Sequence, residues 1–413
     1  MKPVSTALAL LAFLITCSAS AGDWPQWRGP NRDGRSSDTG LLKEWPADGP
    51  KLAWKAAGLG KGYSSMAAVG DRLYTMGDKG DTGFIVGLSA ADGKVLWSAR
   101  VGKAGAPSMP GYDFPGPRCT PTVSGDLLFA ADGWGELVCV SATDGKEQWR
   151  KNYGTDFGGK PATWGFAESP LVDGDQVVVT PGGRKGAMVA LDKKTGRLLW
   201  QSKDFTDDAH YASIVAAEIE GVRQYVQLTA ASVVGIAPQD GALLWRAPRP
   251  ARVAVIPTPV VAGNLVYVTS GYEAGCHLFK IASSGGKLSA ELVYANKNMV
   301  NHHGGVVKVD DDVYGYSESK GFVCQNFQSG DIAWAERDKI KKGCVSYADG
   351  RLYCRDENTG TVILLAAVST GYTECGRLKQ PDRAPEKAWP HPTIANGKLY
   401  LRDQDNLFCY DLK

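Results

Sequence analysis

The sequence predicts an all-β chain, an eight-bladed β-propeller of four-stranded antiparallel blades. Three observations carry this. A Gly-x3-Trp spacing recurs at Gly93/Trp97, Gly145/Trp149, Gly196/Trp200, Gly241/Trp245 and Gly330/Trp334, and a period of about 40 to 50 residues signals a repeat architecture. A turn bearing Gly or Asp, followed by a short apolar strand, recurs eight times. It begins at Gly70, Gly125, Gly174, Gly221, Gly263, Asp311, Gly350 and Gly397. The chain ends are also complementary: the last unit stops at Cys409-Tyr410-Asp411-Leu412 without a Trp strand, whereas Leu52-Ala53-Trp54 is a Trp strand with no unit before it.

Each unit reads as four strands: a Val-rich first strand, the Gly-Asp hairpin and second strand, a third strand such as Leu137 to Val140, and a turn into the Trp strand. Alternating apolar residues with frequent turn signals suit antiparallel sheets. Pairing Leu52-Ala53-Trp54 with the C-terminal strand would complete the eighth blade and remove two free sheet edges. Trp54, Trp97, Trp149, Trp200, Trp245 and Trp334 are expected to insert between neighbouring blades, burying of order 200 Å² each with the indole N–H bonded. Tyr294 and the Thr373-Glu374 region stand at the corresponding places of two units, which predicts weaker junctions there.

Residues 1–21 read as a signal peptide: Lys2, an apolar run from Ala7 to Ile15, then Ala19-Ser20-Ala21. Residues 22–413 then form one exported propeller domain, periplasmic or extracellular. Thr16 before Cys17 argues against a lipid anchor. No later stretch approaches the roughly 18 apolar residues of a transmembrane helix, which predicts a soluble, monomeric mature chain. With 46 Lys and Arg against 44 Asp and Glu, the chain lacks the basic footprint that nucleic-acid binding requires. Cys139, Cys324 and Cys409 occupy equivalent points of different units, which suits small buried core residues better than disulfides.

The stretch Ala190-Leu191-Asp192-Lys193-Lys194-Thr195-Gly196-Arg197-Leu198-Leu199-Trp200 resembles the Ala-x-Asp-x-x-Thr-Gly-x-x-x-Trp repeat of the pyrroloquinoline quinone (PQQ) propeller superfamily. Looser copies run from Ala91, Thr143 and Gln239. The start, Asp23-Trp24-Pro25-Gln26-Trp27-Arg28-Gly29-Pro30-Asn31, is similar to the leader of many exported propellers of this type. The resemblance implies either a quinoprotein dehydrogenase or a non-catalytic BamB-like propeller. The dehydrogenases use adjacent cysteines, a Trp platform, calcium held by Glu and Asn, and an Asp base. No two cysteines are adjacent here, which points to an exported, non-catalytic binding or assembly platform without cofactor, its partners other proteins or a small ligand.

Segments leading into the first strand of each blade face the channel mouth of a propeller, and there the sequence concentrates Arg118, Trp164, Glu168, His210, His302, His303, Trp389 and His391. Polar, aromatic and titratable groups at one symmetry-equivalent position suit a ligand pocket. A metal site is not expected, because these histidines come from separated blades and ligands must converge to about 2 Å. His302 and His303, adjacent on a strand, would point to opposite faces. The segment 102–117, with Met109, Tyr112 and Phe114, is longer than most connections and is expected to line a site or dock a partner. Two alternatives follow: a PQQ- and Ca²⁺-dependent oxidoreductase, or a carbohydrate-binding or hydrolytic propeller with Trp164 and Trp389 as platforms and Glu168 as acid.

Overall fold

Short strands rich in Val, Leu and Tyr, joined by tight Gly-bearing turns, pair with their neighbours in the chain. A computed structural model describes residues 22–110, 114 and 116–413; the expected signal peptide, Cys17 and Tyr112 lie outside the described residues. These residues form eight four-stranded antiparallel sheets. In chain order the blades span 67–103, 122–152, 171–201, 215–248, 260–296, 306–336 and 343–378. The eighth combines 393–411 with Leu52–Ala56, which pairs with Asn406–Asp411 so that Trp54 lies opposite Cys409.

The core is distributed over the junctions between blades. Tyr74 and Ile85 of the first blade pack on Leu128 and Val138 of the second, and equivalent clusters follow around the ring to the closing junction, where Leu73 and Val86 meet Tyr400 and Leu407. The Trp positions sit in these wedges. Each is opposed on the third strand by a small residue: Trp149 by Cys139, Trp200 by Ala190, Trp334 by Cys324. The ring then covers the turn of the next blade, so closely that a Cβ added at Gly145 would lie 2.5 Å from Trp97, and one at Gly241 2.5 Å from Trp200. Both glycines also hold positive φ, which a side chain would strain. The indole N–H groups of Trp54, Trp149, Trp200 and Trp334 donate across the junction to the carbonyls of Ala90, Lys193, Pro238 and Val368. Trp245 instead donates to Gln224 of its own blade and packs on Phe279 and Ile281. Its neighbour carries the long hairpin of Gly275–Ser284 and Lys287–Asn296 in place of the usual short turn.

The two junctions without Trp are filled by other means. Tyr294 stands at the Trp position of the fifth blade, covers Gly330 and donates its hydroxyl to Phe327 O at 2.9 Å. In the seventh blade the corresponding residue is Gly376, opposite Leu364, rather than the Thr373-Glu374 region. The room it leaves is taken by Trp45, whose backbone N–H bonds Cys375 O and whose ring lies 5.8 Å from Tyr353. The eight described cysteines are unpaired, and all but Cys375 are buried.

The N-terminal segment before the first blade fills the channel. Trp24 bridges to Ala68, Val123 N–H donates to Pro25 O, and Trp27 Nε1 donates to Thr258. Arg28 reaches Val306 O, Arg32 reaches the carbonyls of Ser169, Pro170 and Ile214, and Ser36 N–H donates to Tyr347 O. Asp38 accepts from Gly397 N–H. The segment thus touches the inner edge of all eight blades. Arg28 and Arg32 both hold φ of 59°, a left-handed conformation that non-glycine residues adopt uncommonly and that coils the segment tightly enough to aim both guanidinium groups at the inner strands. Burial pulls each guanidinium down to about 10, so both stay charged, with backbone carbonyls in place of water.

Candidate functional site

Above this plug lies a cavity of about 470 Å³ lined mainly by aromatic side chains. Trp27 forms its floor and meets His391 edge-on at 4.7 Å. The plug therefore converts the channel mouth into a cup.

One wall is built on Trp389, with the rings of Tyr63, Phe114 and His303 at 4.7, 4.8 and 5.3 Å. Behind it Glu357, in the turn after the second strand of the seventh blade, accepts from Trp389 Nε1 at 2.9 Å and meets His303 Nε2 at 2.6 Å. Lys387 lies 3.5 Å from its other oxygen. Burial pushes this carboxyl up, but the bonds from His303 and Trp389 outweigh burial and hold it down to about 2. An ionised acceptor assigns the His303 proton to Nε2 and leaves Nδ1, buried and without a partner, as a bare acceptor. The opposite wall carries Trp164 and Tyr211, rings 6.2 Å apart, with Tyr211 Oη accepting from Trp164 N–H. Arg118 donates to the carbonyls of Trp164 and Phe114 at 2.8 and 3.1 Å. At the rim, Tyr272 meets His302 edge-on at 4.9 Å, and Lys342 donates to His302 Nδ1 at 2.6 Å.

The three imidazoles stay neutral near pH 7. Burial lowers His302 to about 3, helped by His303 and Lys342, and burial likewise lowers His303 and His391, the latter also beside Arg28. The cup thus offers flat apolar rings and uncharged hydrogen-bonding groups, with Arg118 as the one cation among the described lining residues.

Of the residues singled out in the sequence, Arg118, Trp164, His302, His303, Trp389 and His391 line this cup. His302 and His303 lie in a bend rather than a strand, so both rings face it, 5.2 Å apart. Glu168 lies behind the wall, bonded by Thr180 N–H and by Gln227 at 3.3 Å, and burial pushes it up to about 7. His210 lines an adjoining cavity of about 250 Å³ with Asp208 and Arg252, which shares Tyr211, Val253 and Ala254 with the cup. Met109 and Phe114 of the long segment line the cup. Sequence reasoning missed Trp27 and Glu357. The signal for Trp27 was the dense Trp-Pro-Gln-Trp-Arg leader; Glu357 sits in an ordinary turn and gave none.

PQQ is a tricarboxylate, and its calcium partner takes six to eight oxygen ligands. The cup presents one cation, the oxygens of Glu357 are already engaged, and among the described residues no group of three or more His, Cys, Asp or Glu could hold a metal ion. These residues do not fit that cofactor.

Eight blades, five of them carrying the Gly-x3-Trp repeat, around a plugged channel define a propeller of the PQQ-like repeat superfamily. The chain belongs to the family described as outer membrane protein assembly factor BamB, whose sequence model matches residues 81–336. BamB from Moraxella catarrhalis is 15% identical and superposes with a TM-score of 0.62 over 88% of this chain and 97% of its own. Quinohemoprotein alcohol dehydrogenase from Comamonas testosteroni, 10% identical, gives 0.64 over 96% and 81%. The computationally designed Ika8 protein, 9% identical, gives 0.60 over 87% and 99%. At these identities the likeness is one of fold. No curated protein sequence matches the chain. No helix among the described residues is long and apolar enough to cross a membrane.

Proposed function

We propose that this protein is an exported, non-catalytic propeller that binds a small ligand in the plugged cup and offers its outer faces to other proteins, as a platform of the BamB type. The observation that carries the reading is the make-up of the cup. Its imidazoles are held neutral, Glu357 behind its wall is engaged by His303, Trp389 and Lys387, and its walls are aromatic. Such a surface recognises a ligand but supplies neither a poised acid and base nor a hold for a quinone and its calcium. The family match supports the platform half of the reading.

The test is a titration of the purified chain from Gly22 onward with PQQ and Ca²⁺, followed by dye reduction with simple alcohols and sugars. The expected result is no PQQ-dependent turnover and an unchanged melting temperature. Saturable PQQ binding with turnover would overturn the proposal.

A further inference from the structure

The proposed platform reading leaves the ligand unnamed, and the inference that follows rests on it. Two polar atoms of cup-lining residues are buried without a partner: Trp164 Nε1, a donor, and His303 Nδ1, an acceptor once Nε2 is given to Glu357. Orphaned buried groups of this kind call for an explanation, an unseen water or ligand group among them. A hydroxyl, which both donates and accepts, complements the pair. Around them lie apolar ring faces: Tyr63 and Phe114 pack on Trp389 at 4.7 and 4.8 Å, tilted by 41° and 51°.

Other ligand classes fit less well. A hydrocarbon would leave both polar atoms orphaned. A polyanion would meet one cation among the lining residues, and a quaternary ammonium would need a free carboxylate, whereas Glu357 is held by His303 and Trp389 and Glu318 by Lys342 and the Tyr272 N–H. The volume, about 470 Å³, lies in the range of multi-ring ligands. A sugar combines apolar ring faces with hydroxylated edges. We propose that the cup binds the end of an uncharged oligosaccharide, stacking one ring on Trp389 and sharing hydroxyls with Trp164 Nε1 and His303 Nδ1.

The experiment screens the chain from Gly22 onward on an array of neutral glycans, then measures the strongest binder by calorimetry against Trp389→Ala and Trp164→Phe, with PQQ and tetramethylammonium as charged probes. Trp164→Phe keeps the ring and removes the N–H, so it stays informative if Trp389→Ala does not fold. Each substitution is expected to weaken binding about tenfold or more, with the charged probes silent. No neutral glycan bound at millimolar concentration, or affinity unchanged in Trp164→Phe, overturns the sugar inference and leaves the platform reading standing. Cleavage of the bound glycan does the opposite.

Discussion

The junctions between blades and the channel are made from the same strands by opposite means. At the junctions one solution repeats: a large ring, a small residue across the strand pair, and a glycine turn beneath, as in Trp200, Ala190 and Gly241. In the channel nothing repeats. Eight equivalent inner edges are met by one asymmetric segment through Trp24, Pro25, Trp27, Arg28, Arg32, Ser36 and Asp38. Burial of apolar surface is non-directional and tolerates repetition, whereas carbonyls lining a closed channel each need a partner, and a chain that passes once meets each differently. The asymmetry is what makes one mouth of a pseudo-symmetric ring a site.

The largest expected effect breaks the repeating half. Trp200→Ala should cost about 3 to 5 kcal/mol, read from equilibrium denaturation, because the ring is buried and its N–H bonds Pro238 O at 2.8 Å. A loss under about 1 kcal/mol would mean that blades do not depend on this wedge.

The matching test of the channel is Arg32→Ala. It removes bonds to three carbonyls and leaves them inside, at about 1 to 3 kcal/mol for an orphaned group. Water entering the vacated space limits the total to about 2 to 4 kcal/mol. If stability is unchanged, the plug is not part of the cooperative fold, and the contrast between the two regions becomes one between core and passenger.

Two buried carboxyls sharpen the comparison through pH. Glu168, against the channel, is pushed up from the ordinary 4.5 to about 7. The folded state therefore binds its proton more tightly, and the stability this gives is full below pH 4.5 and lost as pH rises through 7. The change is up to about 3 kcal/mol at 1.36 kcal/mol per unit. Glu357, at the cup, is held at about 2, so its contribution is present above pH 4.5 and lost as pH falls toward 2. Melting temperature against pH should show both limbs; Glu168→Gln should flatten the upper, and Glu357→Gln should reduce the lower, to which His302, His303 and His391, lowered by burial, also contribute as pH falls. A wild-type protein without the upper limb would mean that Glu168 is solvated.

The repeating half was legible in the sequence because each copy restates it: blade number, hairpins and Trp spacing all follow from period and turn chemistry. The mouth positions were legible as a set, since symmetry places Arg118, Trp164 and Trp389 at one level. Which of them share a cup was not. Glu168 and His210 hold equivalent sequence positions yet face away, because local loop paths rather than the repeat set their direction. Trp45 and Trp27 were out of reach for a different reason: each acts on strands hundreds of residues downstream, and no period links a single segment to its place.

The smallest expected effect asks what the Trp position requires. Tyr294→Phe keeps the ring over Gly330 and removes one hydrogen bond, that to Phe327 O at 2.9 Å. A buried neutral hydrogen bond contributes about 1 kcal/mol net, and the Phe327 carbonyl would be left without its donor. A loss near that value, measured by equilibrium denaturation, would make the polar tip a working part of the junction, as the indole N–H is at Trp149 and Trp200. No loss would mean that ring burial alone closes the wedge. That would also account for Trp97, whose Nε1 has no partner although its ring covers Gly145 as closely as any other.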